Sequence, residues 1–226
     1  MVDLIYLFDD NAGEEEITLK GEVYKYLVKV LRHQENDELY FRNRENIEVL
    51  YTYKIINIEG RSLDIKLISL HDNLVNSSKE LHIAWCVIDT KSIEKVLPSL
   101  NEIGVSKISF IYCDRSQKNF KLDLKRFDRI LESSMQQCGR THKMEFDTYK
   151  NISVFIEKFP DTKVFDFSDN VLKGDSDFKR VLIGCEGGFS QNEKSFLASL
   201  EVFRLDTPMV LRSESAAMAV ASKILL

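Results

Sequence analysis

The part of the chain with the clearest chemical potential is a glycine-rich segment at residues 181–193, which reads VLIGCEGGFSQNE. Its apolar start is typical of a buried strand, and Gly184, Gly187 and Gly188 then allow positive φ and close approach of the backbone to a ligand. The segment contains no GK[ST], so it is not a Walker loop, and its glycine spacing differs from the dinucleotide-binding pattern. Because ligands of parallel sheets bind at the carboxyl ends of strands, we predict a binding loop here.

Three side chains of this segment need separate explanations. Ser190 and Glu193 have the spacing of a capping box at the start of a helix, which indicates a structural role for Glu193. Glu186 has no such explanation and is therefore a candidate functional residue.

A second charged segment covers residues 205–216 and reads LDTPMVLRSESA, followed by an alanine-rich stretch that predicts a helix. In one interpretation this charged segment is only the start of the helix, with Ser213 or Ser215 as N-cap and Glu214 favoured by the helix dipole. In the other interpretation Arg212 and Glu214 form a functional cluster, and the residues alone leave both interpretations open. The alanine-rich face suits close packing, in the core or against a second subunit.

The elements that must position these segments alternate between strand and helix. Hydrophobic patterning predicts strands at residues 81–88, 107–113, 162–167, 180–184 and 201–205, and helices at 91–103, 122–138, 190–200 and 213–226. Such alternation indicates an α/β domain with a mainly parallel sheet. Pro98 is expected to kink or break the predicted helix at residues 91–103.

The first part of the chain reads mostly as strands, at residues 37–43, 46–58 and 62–70, after a short apolar run at 4–8. One helix is predicted at residues 22–32, with Val23, Leu27, Val30 and Leu31 on one face. This pattern is typical of a small barrel-like module. The polar stretch at 71–79 divides the chain into domains at residues 1–72 and 73–226.

Charge at first argues against a nucleic-acid partner, because 31 Lys and Arg face 36 Asp and Glu, a net charge of −5. The acidity lies in residues 1–72, with 9 basic and 15 acidic groups, whereas residues 73–226 hold 22 and 21. Residues 107–143 hold nine basic and four acidic groups, although such blocks are usually solvated helix faces. The basic groups of the first part either share one face or are supplemented by a second subunit: Lys25, Lys29, Arg32, Arg42 and Arg44.

Cysteine usage and hydropathy argue against a metal-binding, a membrane and a secreted protein. Cys86, Cys113, Cys138 and Cys185 form no CxxC pair and the histidines are scattered, so we expect no metal site and four thiols in a reducing cytoplasm. No stretch approaches the roughly 18 apolar residues of a membrane span, so no membrane partner is expected. The N-terminus lacks the basic start and apolar length of a signal peptide.

Two segments together resemble the ribosomal RNA small subunit methyltransferase E family of the SPOUT methyltransferases. Residues 183–190 read IGCEGGFS before Glu193, where the family has I-G-P-E-G-G-F-S-x-x-E. Residues 210–216 read VLRSESA, where the family has I-L-R-x-E-T-A. Further matches follow in family order: LVKVLR at 27–32 with Asn36 and Asp37, EIGV at 102–105, Arg115 with Ser116, and Gln137 with Arg140. The departures are Cys185 for proline, Asp206 and Thr207 for Leu-Gly, Met209 for Arg, Ser99 for Lys, and Lys25 and Tyr26 for a His pair.

The resemblance implies a fold, a cofactor and an assembly. It implies an N-terminal PUA-like β-barrel that binds RNA, a C-terminal SPOUT α/β trefoil-knot domain, and a homodimer. It also implies S-adenosylmethionine as methyl donor, held by three loops. The implied cofactor-binding residues are Phe167, Ile183, Gly184, Glu186, Gly187, Gly188, Leu205, Thr207, Val210, Leu211 and Ser215.

The reaction that the resemblance implies is methylation of N3 of a uridine in 16S rRNA of the small ribosomal subunit. Arg212 cannot accept the proton because guanidinium stays protonated, so it is expected to stabilise charge on the uracil oxygens. Glu214 or a water takes the proton, or Glu214 only orients Arg212 or caps the helix. The RNA-binding candidates are Arg32, Arg115, Lys118, Lys121, Lys125, Arg126, Arg129, Gln137 and Arg140.

Two other functions remain open from the sequence. One is a non-catalytic RNA-binding protein with a decayed SPOUT site, which the departures at Cys185, Asp206, Thr207 and Met209 favour. The other is a SPOUT methyltransferase that acts on a different RNA base.

Overall fold

A computed structural model of the protein describes residues 6–116, 121–174 and 176–226. The chain forms two compact units. One unit comprises Met1–Val75 with Gln136–Thr141, and the other comprises Asn76–Met135 with His142–Leu226. Residues 136–141 join the first unit, in which the Tyr6 backbone N–H donates to the Gln136 carbonyl.

The first unit is built on a five-stranded sheet with the order β1-β3-β4-β5-β2. Its long strands pair antiparallel, and only β1 pairs parallel, with β3. The inward positions are apolar, and Phe41, Tyr53, Leu63 and Ile65 are fully buried. The strands are β1 (Leu7–Phe8), β2 (Glu16–Lys20), β3 (Glu38–Asn43), β4 (Asn46–Glu59) and β5 (Ser62–Asp72).

The helix of this unit differs from the predicted one. It begins as α1 (Gly21–Tyr24) and continues as a π-helical segment, Lys25–Val30. Leu27 is buried as expected, but Val30 is 64% and Leu31 is 41% exposed, so the predicted apolar face is wrong after Leu27. The cause is the wider turn: the Leu31 N–H donates to the Tyr26 carbonyl five residues back, which breaks the 3.6-residue phase.

Arg42 does not join a basic face of this unit, because its side chain is only 1% exposed. Its guanidinium lies 4.8 Å from the Tyr6 ring centroid and donates to the Ile47 carbonyl and the Asn73 side chain. Burial lowers the pKa of the Arg42 guanidinium. The side chain therefore serves the core of the unit and cannot meet a phosphate at its surface.

The second unit contains a six-stranded parallel sheet with the order β11-β9-β10-β6-β7-β8, which confirms the predicted α/β domain. The strands are β6 (His82–Cys86), β7 (Lys107–Ile111), β8 (Glu145–Tyr149), β9 (Lys163–Phe165), β10 (Arg180–Ile183) and β11 (Val202–Phe203). The helices are α2 (Thr90–Ile103), α3 (Leu124–Cys138), α4 (Ile152–Lys158), α5 (Gln191–Leu197) and α6 (Ser213–Leu225).

Three details of this unit depart from the sequence analysis. Pro98 does not divide α2, which runs from Thr90 to Ile103 after an Asp89 cap that accepts from two backbone N–H groups. Two elements, β8 and α4, were not predicted from the sequence. As an edge strand, β8 is only partly buried, so it lacks the apolar run that marks the central strands.

Cys86 and Cys113 form a disulfide, with their Cα atoms 5.7 Å apart. The expectation of four thiols is therefore wrong for this pair, while Cys138 and Cys185 are outside any disulfide. The reason is topological: Cys86 ends β6 and Cys113 follows β7, its parallel neighbour, so a 27-residue separation becomes a side-by-side contact.

Two absences concern only the described part of the chain. Within residues 6–116, 121–174 and 176–226, none of the helices combines the length and apolarity that a bilayer span requires. Over the same ranges, no three His, Cys, Asp or Glu side chains are gathered as metal ligands.

A polar chain crosses the strands of the parallel sheet. Arg180 Nε donates to His82 Nδ1 at 3.0 Å, so the other ring nitrogen of His82 carries the proton and donates to Ser109 Oγ at 2.7 Å. The Ser109 hydroxyl then donates to Asp147. Burial, with the positive charge of Arg180, lowers the pKa of His82 to about 4.

This polar chain predicts acid sensitivity of folding. His82 takes up its proton near pH 6.5 in the unfolded chain and only near pH 4 in the folded protein. Its contribution to the free energy of unfolding is therefore fully present above pH 6.5 and is lost as the pH falls towards 4. The loss from this residue is on the order of 3 kcal/mol. The free energy of unfolding, measured in urea at several pH values across this range, should depend less steeply on pH in His82→Gln, by the equivalent of about one proton. Equal slopes in the two proteins would contradict the prediction.

Candidate active site

A cavity of about 530 Å³ opens in the second unit, beyond the carboxyl ends of three adjacent strands. The strands β9, β10 and β11 end at Phe165, Ile183 and Phe203, and the segments that follow them line the cavity. The wall is completed by Arg115, which follows β7, and by the start of α6. The three cofactor loops that the resemblance implies are the loop that follows the predicted strand at residues 162–167 and the loops at residues 183–188 and 205–211, and residues of all three line the cavity.

The predicted cofactor-binding residues lie in this wall, with one exception. Ser213 and Ala216 of α6 face the cavity at i,i+3 spacing, and this places Ser215 on another side of the helix. Those that line the cavity are Phe167, Ile183, Gly184, Glu186, Gly187, Gly188, Leu205, Thr207, Val210 and Leu211.

Two of the three glycines in the loop after β10 have a structural reason, and the reasons differ. Gly188 has φ +65°, in the left-handed region that favours glycine. At Gly187 a Cβ atom would come within 3.3 Å of the Arg115 side chain. At Gly184 the nearest atoms, on Phe189 and Gly188, would be 3.5–3.6 Å away, which is an ordinary contact. Gly188 therefore sets the turn, and Gly187 lets Arg115 pack against the loop.

The predicted capping box at the end of this loop is confirmed. Ser190 Oγ accepts from the Glu193 N–H, and the Glu193 carboxylate accepts from the Ser190 N–H at 2.8 Å. Both side chains also bind the segment after β7, because Glu193 accepts from the Asp114 N–H at 2.9 Å and Ser190 Oγ donates to the Asp114 carboxylate at 2.6 Å. The capping residues therefore hold two loops together.

Arg115 belongs to this junction. Its Nη1 donates to the Gly187 carbonyl, and its side chain lines the cavity. The resemblance suggested RNA contact for Arg115, and the structure places it against the glycine-rich loop.

Cys185, which replaces a proline of the family motif, fits inside the loop. It is 7% exposed, and its Sγ contacts the Gly188 carbonyl at 3.6 Å. Burial raises the pKa of the Cys185 thiol, so the thiol stays protonated at neutral pH and is a poor nucleophile. Thr207 and Met209, the other departures in the wall, line the cavity without closing it.

The start of α6 differs from both predicted caps. The N-cap is Arg212, with extended backbone and no side-chain cap, so the prediction of Ser213 or Ser215 as N-cap is wrong. Arg212 is exposed and lines the cavity. Glu214 is half-buried and lies outside the cavity wall. It belongs to the first helical turn, where the helix dipole favours its negative charge.

Several polar groups of the cavity wall were not predicted from the sequence. Asp166 follows β9 directly, and Lys194 of α5 pairs with it at 3.3 Å. Arg204 follows β11 and also lines the cavity. The signal that would have found Asp166 and Arg204 is position, because each is the last residue but one of a predicted strand, at the carboxyl end where a parallel sheet binds ligands.

The RNA-binding candidates divide by exposure. Lys121, Lys125, Arg126, Arg129, Gln137 and Arg32 are exposed. Arg126 Nε is paired with Glu94 at 2.7 Å, which offsets part of its charge. Arg140 is only 5% exposed, so the prediction of its contact with phosphate is not supported. Lys118 lies outside the described residues.

Comparison with known proteins identifies the family. A sequence model for an RNA methyltransferase domain matches residues 75–225. A ribosomal RNA small subunit methyltransferase E from Helicobacter pylori is 38% identical over 221 residues, 96% of this chain and 97% of that relative. The chain belongs to the ribosomal RNA small subunit methyltransferase E family. A relative of the same name from Aquifex aeolicus is 23% identical over 96% of this chain and 97% of its own length.

Two solved structures share the fold of this family member. A methyltransferase from Legionella pneumophila in complex with S-adenosylmethionine has a TM-score of 0.75 and 21% identity, over 96% of this chain and 94% of its own. A ribosomal RNA small subunit methyltransferase E from Neisseria gonorrhoeae, bound to S-adenosylmethionine, has a TM-score of 0.73 and 18% identity, over 96% and 95%. The likeness is one of fold, a mixed α/β architecture with a parallel sheet.

Replacement of Gly188 tests the turn that shapes the cavity. Gly188→Ala should destabilise this family member by about 1–2 kcal/mol, because an L side chain is strained at φ +65°. Gly174→Ala is the control, since its Cβ would meet only Lys223 Nζ, at 3.8 Å, with no positive φ. Urea unfolding of both variants measures the difference, and equal midpoints would refute the role given to Gly188.

Proposed function

We propose that the protein transfers the methyl group of S-adenosylmethionine to N3 of a uridine in 16S rRNA of the small ribosomal subunit. The observation that carries the proposal is the cavity itself, where the glycine-rich loop after β10 and Arg212 line one space. Membership of the methyltransferase E family supplies the reaction and the class of substrate. A ribosomal substrate also places the site of action in the cytoplasm.

The residues of the cavity fit the proposed cofactor. Its volume of about 530 Å³ lies within the roughly 300–1,000 Å³ of small-molecule sites. Ile183, Leu205 and Leu211 offer apolar wall to an adenine ring, and Arg115 and Lys194 offer positive charge to a carboxylate. Glu186 and Asp166 offer negative charge to a sulfonium and hydroxyl groups. S-adenosylmethionine, when bound, supplies an electrophilic methyl group.

The protein's own side chains act on the uracil ring. N3 of the uridine must lose its proton for methyl transfer, and negative charge then develops on the neighbouring carbonyl oxygens. The exposed Arg212 guanidinium stabilises this charge, and it cannot be the base because it stays protonated. Glu214 lies outside the cavity wall, which favours orientation of Arg212 over proton acceptance. We therefore assign the proton to a water molecule.

The finer features of fold and assembly belong to the same proposal. We propose a trefoil knot in the second unit, a PUA-like barrel in the first, and a homodimer, as the family resemblance implies. The five-stranded, mainly antiparallel sheet of the first unit supports the barrel. The exposed apolar residues beside the cavity support a dimer: Phe167 at 75%, Met209 at 66% and Val210 at 78%.

Arg212→Ala tests the catalytic assignment. Turnover should fall by about 10²–10³, because a charge that stabilises the transition state is removed, while the Kd of S-adenosylmethionine changes little. The measurement is transfer of tritiated methyl to small subunits from cells that lack the protein, with calorimetry for the cofactor. Arg212→Lys is the comparison, since it keeps the charge and loses the planar fork. Unchanged turnover in Arg212→Ala would remove Arg212 from the mechanism.

The same assay separates the alternatives. A wild-type protein that binds RNA but not S-adenosylmethionine would be the non-catalytic binder with a decayed site. A methyl group mapped to another base would indicate a SPOUT methyltransferase that acts on a different RNA base.

The basic side chains near the start of α3 are proposed to contact phosphate. Lys121, Lys125 and Arg129 are exposed there. If Lys125 contacts one phosphate, Lys125→Ala should reduce the slope of log K against log salt by about 0.7–0.9. Lys179→Ala is the matched control, because Lys179 precedes β10 at the end of the strand opposite the cavity. RNA-binding titrations from low to high salt measure both slopes, and equal slopes would return Lys125 to the solvated helix face.

A further inference from the structure

Three groups from distant parts of the second unit form a buried hydrogen-bond chain. The indole Nε1 of Trp85, in β6, donates to Ser213 Oγ at 2.8 Å. The Ser213 hydroxyl in turn donates to the Gly184 carbonyl in the glycine-rich loop. Trp85 is fully buried and Ser213 is 5% exposed.

The direction of both hydrogen bonds is fixed by chemistry. An indole N–H can only donate, so Ser213 Oγ must accept from Trp85. The one proton of the hydroxyl is then directed to the Gly184 carbonyl. Trp85 therefore determines how the hydroxyl is turned, and a single side chain satisfies a buried donor and a buried acceptor.

The hydroxyl lies between the two parts of the proposed site. Gly184 and Ser213 both line the cavity, and each adjoins a residue with an assigned role. Ile183, before Gly184, belongs to the apolar wall for the cofactor, and Arg212, before Ser213, is the proposed catalytic residue. The backbone of Arg212 is held on one side by the helical bond from the Ala216 N–H to its carbonyl and on the other by its covalent neighbour, Ser213.

We propose that Ser213 is a positioning residue for methyl transfer, whose hydroxyl holds the glycine-rich loop and Arg212 at a fixed separation. The inference rests on the proposed function and adds a residue that acts through its neighbours. Ser213 is not the N-cap of α6, and the first helical bond runs from the Ala216 N–H to the Arg212 carbonyl. Its hydroxyl is thus directed to the cavity wall and not to the helix end.

The test compares Ser213→Ala with a variant that is destabilised without loss of this contact. Val220→Ala removes a fully buried side chain from the same helix and leaves Trp85, Ser213 and Gly184 in place. Unfolding in urea ranks the two variants in stability. At a temperature where both are folded, Ser213→Ala should show about tenfold weaker binding of S-adenosylmethionine and about tenfold lower kcat than Val220→Ala. Ser213→Thr, which keeps the hydroxyl, should recover most of both.

A spectroscopic measurement reports on the contact directly. The protein has one tryptophan, so its ¹H–¹⁵N spectrum contains a single indole signal. That signal should move upfield in Ser213→Ala without cofactor, and stay in place in Val220→Ala. Addition of S-adenosylmethionine to the wild type should shift it, because the acceptor hydroxyl is bonded to the cofactor loop. If Ser213→Ala does not fold, Ser213→Cys, of similar size but a weak donor, replaces it with the same expectations.

The outcomes separate this inference from the proposed function. A wild type that neither binds S-adenosylmethionine nor methylates the small subunit overturns the proposed function, whatever the indole signal does. An active wild type with Ser213→Ala no worse than Val220→Ala overturns the role of Ser213. Loss of affinity and kcat that Ser213→Thr restores, together with the shifted indole signal, supports it.

Discussion

Parallel pairing of β9, β10 and β11 is the constraint on which the site depends, because it brings three chain segments to one edge of the sheet. None of these segments forms a cavity alone, since each is a short loop after a short strand. The sheet supplies the alignment, and its buried central strands, β10 and β6, fix the position of the glycine-rich loop. The chemistry of the loops can therefore differ from family motifs without change of the frame.

The loops are held by a few directed contacts behind the cavity and expose their reactive groups in front of it. Asp114 joins the segment after β7 to Ser190 and Glu193, and Trp85 joins β6 to Ser213. The cavity side in contrast carries the exposed Arg212 guanidinium. The contact of Trp85 with Ser213 is buried and therefore gains strength and rigidity away from water, whereas a group that meets RNA must stay accessible.

Net charge is a poor guide to partners here, because position and burial decide which charges act. The chain is acidic overall, at −5, yet cations near the start of α3 are exposed. Conversely, Arg42 and Arg140 count as basic groups in the sequence but lie inside the first unit. The charge that an RNA meets is therefore a property of the folded surface, which the composition cannot give.

The sequence by itself determined the family, the glycine-rich loop and most strands and helices of the α/β domain, because buried strands and backbone-shaping glycines leave strong local patterns. It failed at the edge strand β8, whose half-exposed residues lack such a pattern, and at the π-helical turn, which broke the expected period at Leu31. Only the tertiary structure decided the pairing of Cys86 with Cys113 and the hydrogen bond of Trp85 to Ser213, across 128 residues. Contacts of that kind depend on the register of neighbouring strands, and register is fixed by the packed sheet as a whole.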